Sequence, residues 1–322
     1  MLGCVLILAL TAVVACSRRP SEQAEQHAAP APAVSAPSDA AGLPSEATAS
    51  AAYEAKQYGK CAQQWMAMAS SDDKAMQRKA LYNAACCHAL DGKVDLALVR
   101  LDAAIAAGFR DVELLEKDPD LASLHGDPRW ARAVASTTQQ MAVWESSFKA
   151  PQLRRELLAM VEEDQAARKA WMDARPESPD AAELRTKGEA IDKKNTRALK
   201  AAIARYGWPG KSVVGEDGAH AAWLLVQHAD LDPALQKDVL ARMKPMVESG
   251  EVTASDYAYL YDRVAVAEHR HQLYGTQFKG TEPFPIEDET NVDARRKSVG
   301  LGTMAEYKLK VLEVYGPQGP QK

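Results

Sequence analysis

Six polar residues in the last third of the chain, His228, Asp230, Asp262, Arg263, Tyr274 and Gln277, are of the types that move protons and hold charge. An imidazole with a nearby carboxylate is the minimum apparatus for general-base work on water. Arg263, Tyr274 or Gln277 could then donate to a developing oxyanion. Gln227, His228 and Asp230 sit beside an apolar run, Ala221 to Val226, where an amphipathic helix does not need them. Burying them unpaired would cost about 1–3 kcal/mol each, so partners must exist. A hydrogen-bond network that fixes helix packing would meet the same need. The absence of any nucleophile motif makes that structural role the plainer one.

Other chemistries find less support. There is no His-Glu-x-x-His and no paired Cys-x-x-Cys, and His220 and His228 are too far apart on one helix to share an ion. His269-Arg270-His271 could supply two ligands, with Asp230, Asp232 or Asp262 a third, but both histidines fall at a solvated helix end. No metal and no cofactor are expected. The glycines form no phosphate loop, and Ser212 and Ser298 lack the turn that presents a hydrolase serine. Arg295-Arg296-Lys297 follows Glu287, Asp288 and Glu289, so pairing across that loop is expected before anion binding. With a formal net charge of -5 and no long basic block, a nucleic-acid surface is not expected.

The elements that must position these residues are helical. The 322 residues are 47% hydrophobic but only 6% aromatic, rich in alanine and poor in β-branched runs, which favours helices packed through small side chains. The expected fold is mainly α, with helical hairpins followed by an α-rich domain carrying one small β-hairpin. In the second domain apolar spacing marks helices around Leu153–Trp171, Ile191–Ile203, His220–His228, Ser255–Glu268, Val292–Ser298 and Met304–Val314. Gln272–Phe278 and Phe284–Ile286 read as the hairpin, with Gly280 in the connection.

At the other end, Leu2 to Val14 is uncharged and too short to span a membrane, and it ends in Val13-Val14-Ala15-Cys16. This resembles the bacterial lipobox, although the first residues lack the usual Lys or Arg. The resemblance implies a signal peptide over 1–15, a diacylglyceryl, palmitate-bearing Cys16, and a membrane held through that lipid anchor. Ser17 after the cysteine, in such proteins, implies the outer membrane facing the periplasm. Residues 16–47 are Ala, Pro, Ser, Glu and Gln with little to bury, and read as a disordered tether.

Over residues 48–148 a helical module is expected. Ala80–Leu90 and Val94–Gly108 read as two helices joined at Gly92, with Gly108 as the C-terminal cap. Ala85, Gly92, Ala97, Leu101 and Ala104 resemble the small and packing positions of the tetratricopeptide repeat (TPR), and Tyr58, Cys61, Trp65 and Met68 repeat part of that pattern one repeat earlier. The resemblance implies a protein or peptide partner on the concave face, contacted by Lys79, Tyr82, Asn83 and Cys86. Cys61 and Cys86-Cys87 lie at adjoining helix ends; in an oxidising compartment this favours a Cys61–Cys87 disulfide over three buried thiols.

Over residues 151–316 the peptides Asp164-Gln165 with Arg168, Asp192 with Asn195, Gly207-Trp208-Pro209, Gln227-His228-Ala229-Asp230, Tyr261-Asp262-Arg263, Tyr274-Gly275-Thr276-Gln277 and Asn291-Val292-Asp293 with Arg295-Arg296 resemble a bacterial domain family of unknown function. It occurs in secreted and lipoprotein contexts, and implies a domain but no activity. The expected function is a lipid-anchored interaction scaffold acting through the TPR-like module, with the activity of the C-terminal domain unknown; the alternative is a cell-envelope hydrolase built around the His228 group.

Overall fold

The computed structural model describes residues 44–174 and 180–315. The expected signal peptide, the lipidation site Cys16 and the tether as far as residue 43 lie outside them. The chain is mainly α and divides between Glu145 and Ser146 into two compact units. Among the described residues no helix is long and apolar enough to cross a membrane.

In the first unit α1 (Glu46–Glu54) begins inside the stretch expected to be tether. The reason is a capping box: the Thr48 N–H donates to Ser45 Oγ at 3.2 Å, and the Ser45 N–H donates to Thr48 Oγ1 at 2.9 Å. Then follow α2 (Tyr58–Met68), α3 (Lys74–Leu90), α4 (Val94–Ala106), α5 (Val112–Lys117), a 3-10 turn (Pro119–Leu124) and α6 (Pro128–Glu145). Asp73, Asp111 and Asp118 each cap the helix or turn that follows them by accepting a backbone N–H. Leu115, Leu121 and Leu124 bring that tail onto the core of Trp65, Leu81, Leu98 and Leu101. Cys61 and Cys87 are joined in a disulfide with their Cα atoms 6.0 Å apart, and the neighbouring Cys86 is buried and takes no part in it.

The second unit is arranged around α9 (Lys211–Gln227), whose residues Ala221–Gln227 are all buried. It contacts α7 (Pro151–Asp173), α8 (Ala181–Tyr206), α10 (Pro233–Glu248) and α11 (Ala254–Ala267). Gly215 bends α9 near its start with φ 79°; a Cβ there would sit 2.7 Å from the Phe148 ring. The Trp223 indole N–H donates to the Asp256 carbonyl at 2.7 Å, which ties α9 to α11.

After α11 the expected hairpin is shorter and shifted. Only β1 (Phe278–Lys279) and β2 (Glu282–Pro283) pair, antiparallel, with Phe278 opposite Pro283. Gln272 forms an isolated parallel bridge with Ile286. Residues 273–276 cannot join the ladder because three of their backbone N–H groups point to the Asp262 carboxylate. Gly275 turns the chain there at φ 64°, and a Cβ on it would lie 2.5 Å from Met304 Sδ. A short 3-10 turn, α12 (Val292–Ser298) and α13 (Met304–Tyr315) complete the unit around Phe278, Val292, Met304 and Val311.

Candidate functional site: a buried histidine and its carboxylate

α7 and α8 run antiparallel, as two ion pairs fix: Lys194 to Glu163 at 2.6 Å and Arg168 to Asp192 at 2.5 Å. Along the apolar stripe of α7 (Leu153, Leu157) the later positions are Asp164 and Arg168, both buried. Arg168 Nε donates to Asp164 Oδ1 one turn back at 3.0 Å. On α8 the stripe Ile191–Leu199 is interrupted by Asn195, also buried. By the antiparallel register, Asn195 stands at the level of Asp164.

His228 ends α9 as its C-cap residue, and its Nδ1 lies 2.7 Å from Asp164 Oδ2. Its ring is 3% exposed. Burial lowers the His228 pKa; the bond to Asp164 opposes this, while the charges of Arg168 and Arg263 add to the lowering. The imidazole is therefore neutral at pH 7, its Nδ1–H donates to Asp164, and Nε2 is left as a bare acceptor. For Asp164, burial pushes the carboxyl upward, but the hydrogen bond from His228, the charge of Arg168 and the Gln165 amide hold it below its ordinary value. Asp192 goes the other way: burial, then the Asp164 charge, lift it to about 6 against the pull of Arg168.

Beside His228, Gln227 Oε1 accepts from Arg263 Nε at 2.7 Å, and Arg263 Nη1 reaches Asp230 Oδ1 at 2.6 Å. Gln236 closes the end of α9 by donating to the Val226 carbonyl at 3.1 Å. Four buried polar atoms here have no hydrogen-bond partner among the described residues: Nδ2 and Oδ1 of Asn195, Nε2 of Gln227 and Nε2 of His228.

The six residues singled out in the sequence divide into two groups. His228, Asp230 and Arg263 belong to the network just described. Asp262, Tyr274 and Gln277 belong to another, so the expected single constellation is corrected. Asp262 accepts the N–H groups of Leu273 (2.7 Å), Tyr274 (3.1 Å) and Thr276 (3.0 Å) together with the Thr276 hydroxyl (3.0 Å). Burial raises its pKa against those four donors. Gln277 Nε2 donates to Thr276 Oγ1, and its backbone is held by the Gln272 side chain. The half-buried Tyr274 ring packs edge-on to Tyr261. Adjacent residues on α11 diverge by about 100° around the helix, which is why Asp262 and Arg263 serve different networks.

Arg295 and Arg296 do not chiefly pair with acids. Arg295 donates to the carbonyls of Leu273 and Asp288, with Asp288 Oδ2 at 3.6 Å. Arg296 is buried and donates to the carbonyls of Tyr274 (2.7 Å) and Gly302 (2.5 Å). A cleft of about 510 Å³ opens between α8 and α10, lined by residues including Lys200, Asp232, Asp238 and Arg242, and holds none of the six.

In the first unit the expected partner groove is corrected. Tyr82, Asn83 and Cys86 are buried. The chain's own tail covers that face: Tyr82 stacks on Phe109 at 4.4 Å between ring centroids, and its hydroxyl donates to Asp118 Oδ2 at 2.9 Å. Cys86 Sγ lies 3.6 Å from the same oxygen. Lys79 pairs with Glu46 at 2.6 Å and lies over the Trp65 ring. Cys86, Asp118 and Asp120 bring three metal-type ligand atoms within 4.8 Å of one another, a grouping that the sequence did not suggest. Hydrogen bonds to Tyr82 and Tyr53 already engage those carboxylates. His269 and His271 are exposed and lie in no such grouping among the described residues.

Asp164, Arg168, Asp192 and Asn195 were missed as site residues, although each stood in a signature peptide. The legible signal was a polar residue at a position where the helical stripe calls for an apolar one. The second unit is thus a mainly helical domain closed over a histidine–carboxylate pair. Residues 151–318 match a family of unknown function (DUF6624), and the chain belongs to that family. No curated protein and no solved structure matches it.

Proposed function

We propose that this protein is an envelope-anchored lipoprotein, tethered to the outer membrane through Cys16, whose C-terminal domain is a hydrolase with His228 as general base. The anchoring rests on the uncharged run before Ala15-Cys16. The hydrolase reading rests on one observation: an imidazole held on Asp164 through Nδ1, with Nε2 buried and unpartnered. Water gives one proton to Nε2 as its oxygen bonds to the electrophilic carbon. The proton then passes to the leaving group as the old bond breaks, and the imidazole returns to its neutral state. The helix ends around residue 228 must part to admit the scissile group, since so little of the ring is exposed.

Purified full-length chain assayed against a panel of ester and amide substrates should show turnover. His228→Ala and Asp164→Asn should each lower kcat by roughly 10²- to 10⁴-fold. The acid limb of kcat/KM should fall below the ordinary histidine pKa, in keeping with the lowered value of His228. Turnover indifferent to both substitutions, or none on the panel, would overturn the reading.

A second reading, that the N-terminal unit is a TPR-like scaffold for a protein partner, draws on α4. With the expected groove covered, Leu96 (42% exposed) and Val99 (53%) stand three residues apart on its outer face. Leu96→Glu with Val99→Glu should abolish any partner contact without unfolding the unit. A partner retained by that variant would sink the idea.

A further inference from the structure

The unpartnered atoms beside His228 have a definite chemistry. Asn195 Nδ2 and Gln227 Nε2 are donors, and Asn195 Oδ1 and His228 Nε2 are acceptors. All three side chains are almost wholly buried, at 2%, 0% and 3% exposure. They come from α8 and the end of α9, and the register of α7 against α8 sets Asn195 level with the Asp164 to which His228 is bonded.

The surrounding charges are already committed. Arg168 is held by Asp164 and Asp192, and Arg263 by Asp230 and Gln227. A carboxylate or phosphate brought here would bring a charge with no uncommitted counter-charge and would leave the two acceptors unmet. An ammonium would leave the two donors unmet, and an apolar group all four. A carboxamide offers a carbonyl oxygen with two lone pairs and an N–H, the complement of this set.

We propose that, when the helix ends around residue 228 part, the unpartnered atoms beside His228 receive an uncharged carboxamide, a –CO–NH– unit of the substrate, gripped by Asn195 and Gln227. This deepens the hydrolase reading and rests on it in placing the substrate against His228. Amide contact fixes which bond lies near Nε2, so Asn195 and Gln227 are the specificity residues of the site.

The test is a titration of acetamide, acetate and ethanol into ¹⁵N-labelled full-length chain, following the side-chain amide signals of Asn195 and Gln227. Acetamide should give saturable shifts at both signals, and acetate and ethanol none. In Asn195→Ala, the Gln227 shift should weaken at least tenfold in apparent affinity. Gln227→Glu, which keeps the shape but removes the donor, should do the same at Asn195, so a misfolded single variant does not decide the matter. Equal shifts with acetate or ethanol, or no shift while long-lived water signals persist at these amides, would overturn the inference. Acetamide binding without any hydrolysis would sink the hydrolase reading alone. His228-dependent hydrolysis without acetamide binding would sink this one alone.

Discussion

Two buried polar networks lie on consecutive residues of α11 and differ in one respect. Around Asp262 every carboxylate oxygen is engaged, and its donors come from a loop that has no other means of satisfying them. Around Asp164 and His228 the ions are paired, yet four polar atoms are not. A saturated network fixes a chain in place, whereas an unsaturated one carries a standing cost that selection would remove if packing were its purpose. The difference separates a carboxylate whose bonding is filled within the fold from side chains with bonding capacity left over.

Substitutions can break this contrast. Asp262→Ala strands four donors in the interior and should lower unfolding stability by roughly 3–5 kcal/mol in urea denaturation. A loss below about 1 kcal/mol would mean the loop is held by other contacts. Asn195→Leu should have the opposite sign, since it removes two unpartnered amide atoms and keeps the volume. A gain of roughly 1–2 kcal/mol is expected in the ligand-free chain. Destabilisation instead would make Asn195 a structural member of the Asp262 kind.

The smallest effect is one of pH. His228 is lowered, so below its ordinary value of 6.5 the unfolded chain takes up a proton that the folded chain refuses, and stability falls on acidification. Asp192 is raised from 3.8 to about 6, so between those values the folded chain binds the extra proton and stability rises on acidification. The two oppose each other in the natural protein. Asp192→Asn should therefore steepen the loss between pH 6.5 and 4, and His228→Gln should turn it into a gain. Parallel slopes in all three proteins would show that neither group titrates differently on folding.

Much of the fold was legible because alanine-rich amphipathic periodicity survives in the sequence. The apolar run from Ala221 to Val226 marked the buried part of α9, and the spacing over Ser255–Glu268 lies within one residue of α11. The hairpin was misplaced because backbone donors in 273–276 went to a side chain eleven residues or more away, which no local pattern records. The candidate site was half legible. His228 stood out, but its carboxylate partner is 64 residues upstream on α7, and nearness in sequence favoured Asp230. The supposed groove failed for a related reason: repeat spacing says which face is concave, not whether the tail after Gly108 will lie in it.

Asp262 also sets an order of events. During synthesis the chain emerges from its N-terminus, so α7 to α11 are present before residues 273–276. Until those residues arrive, the helical bundle can close only over a carboxylate with none of its four donors. Residues 273–276 are therefore a condition for the domain's completion, and a chain cut short after α11 should be left open to proteases however complete its helices look.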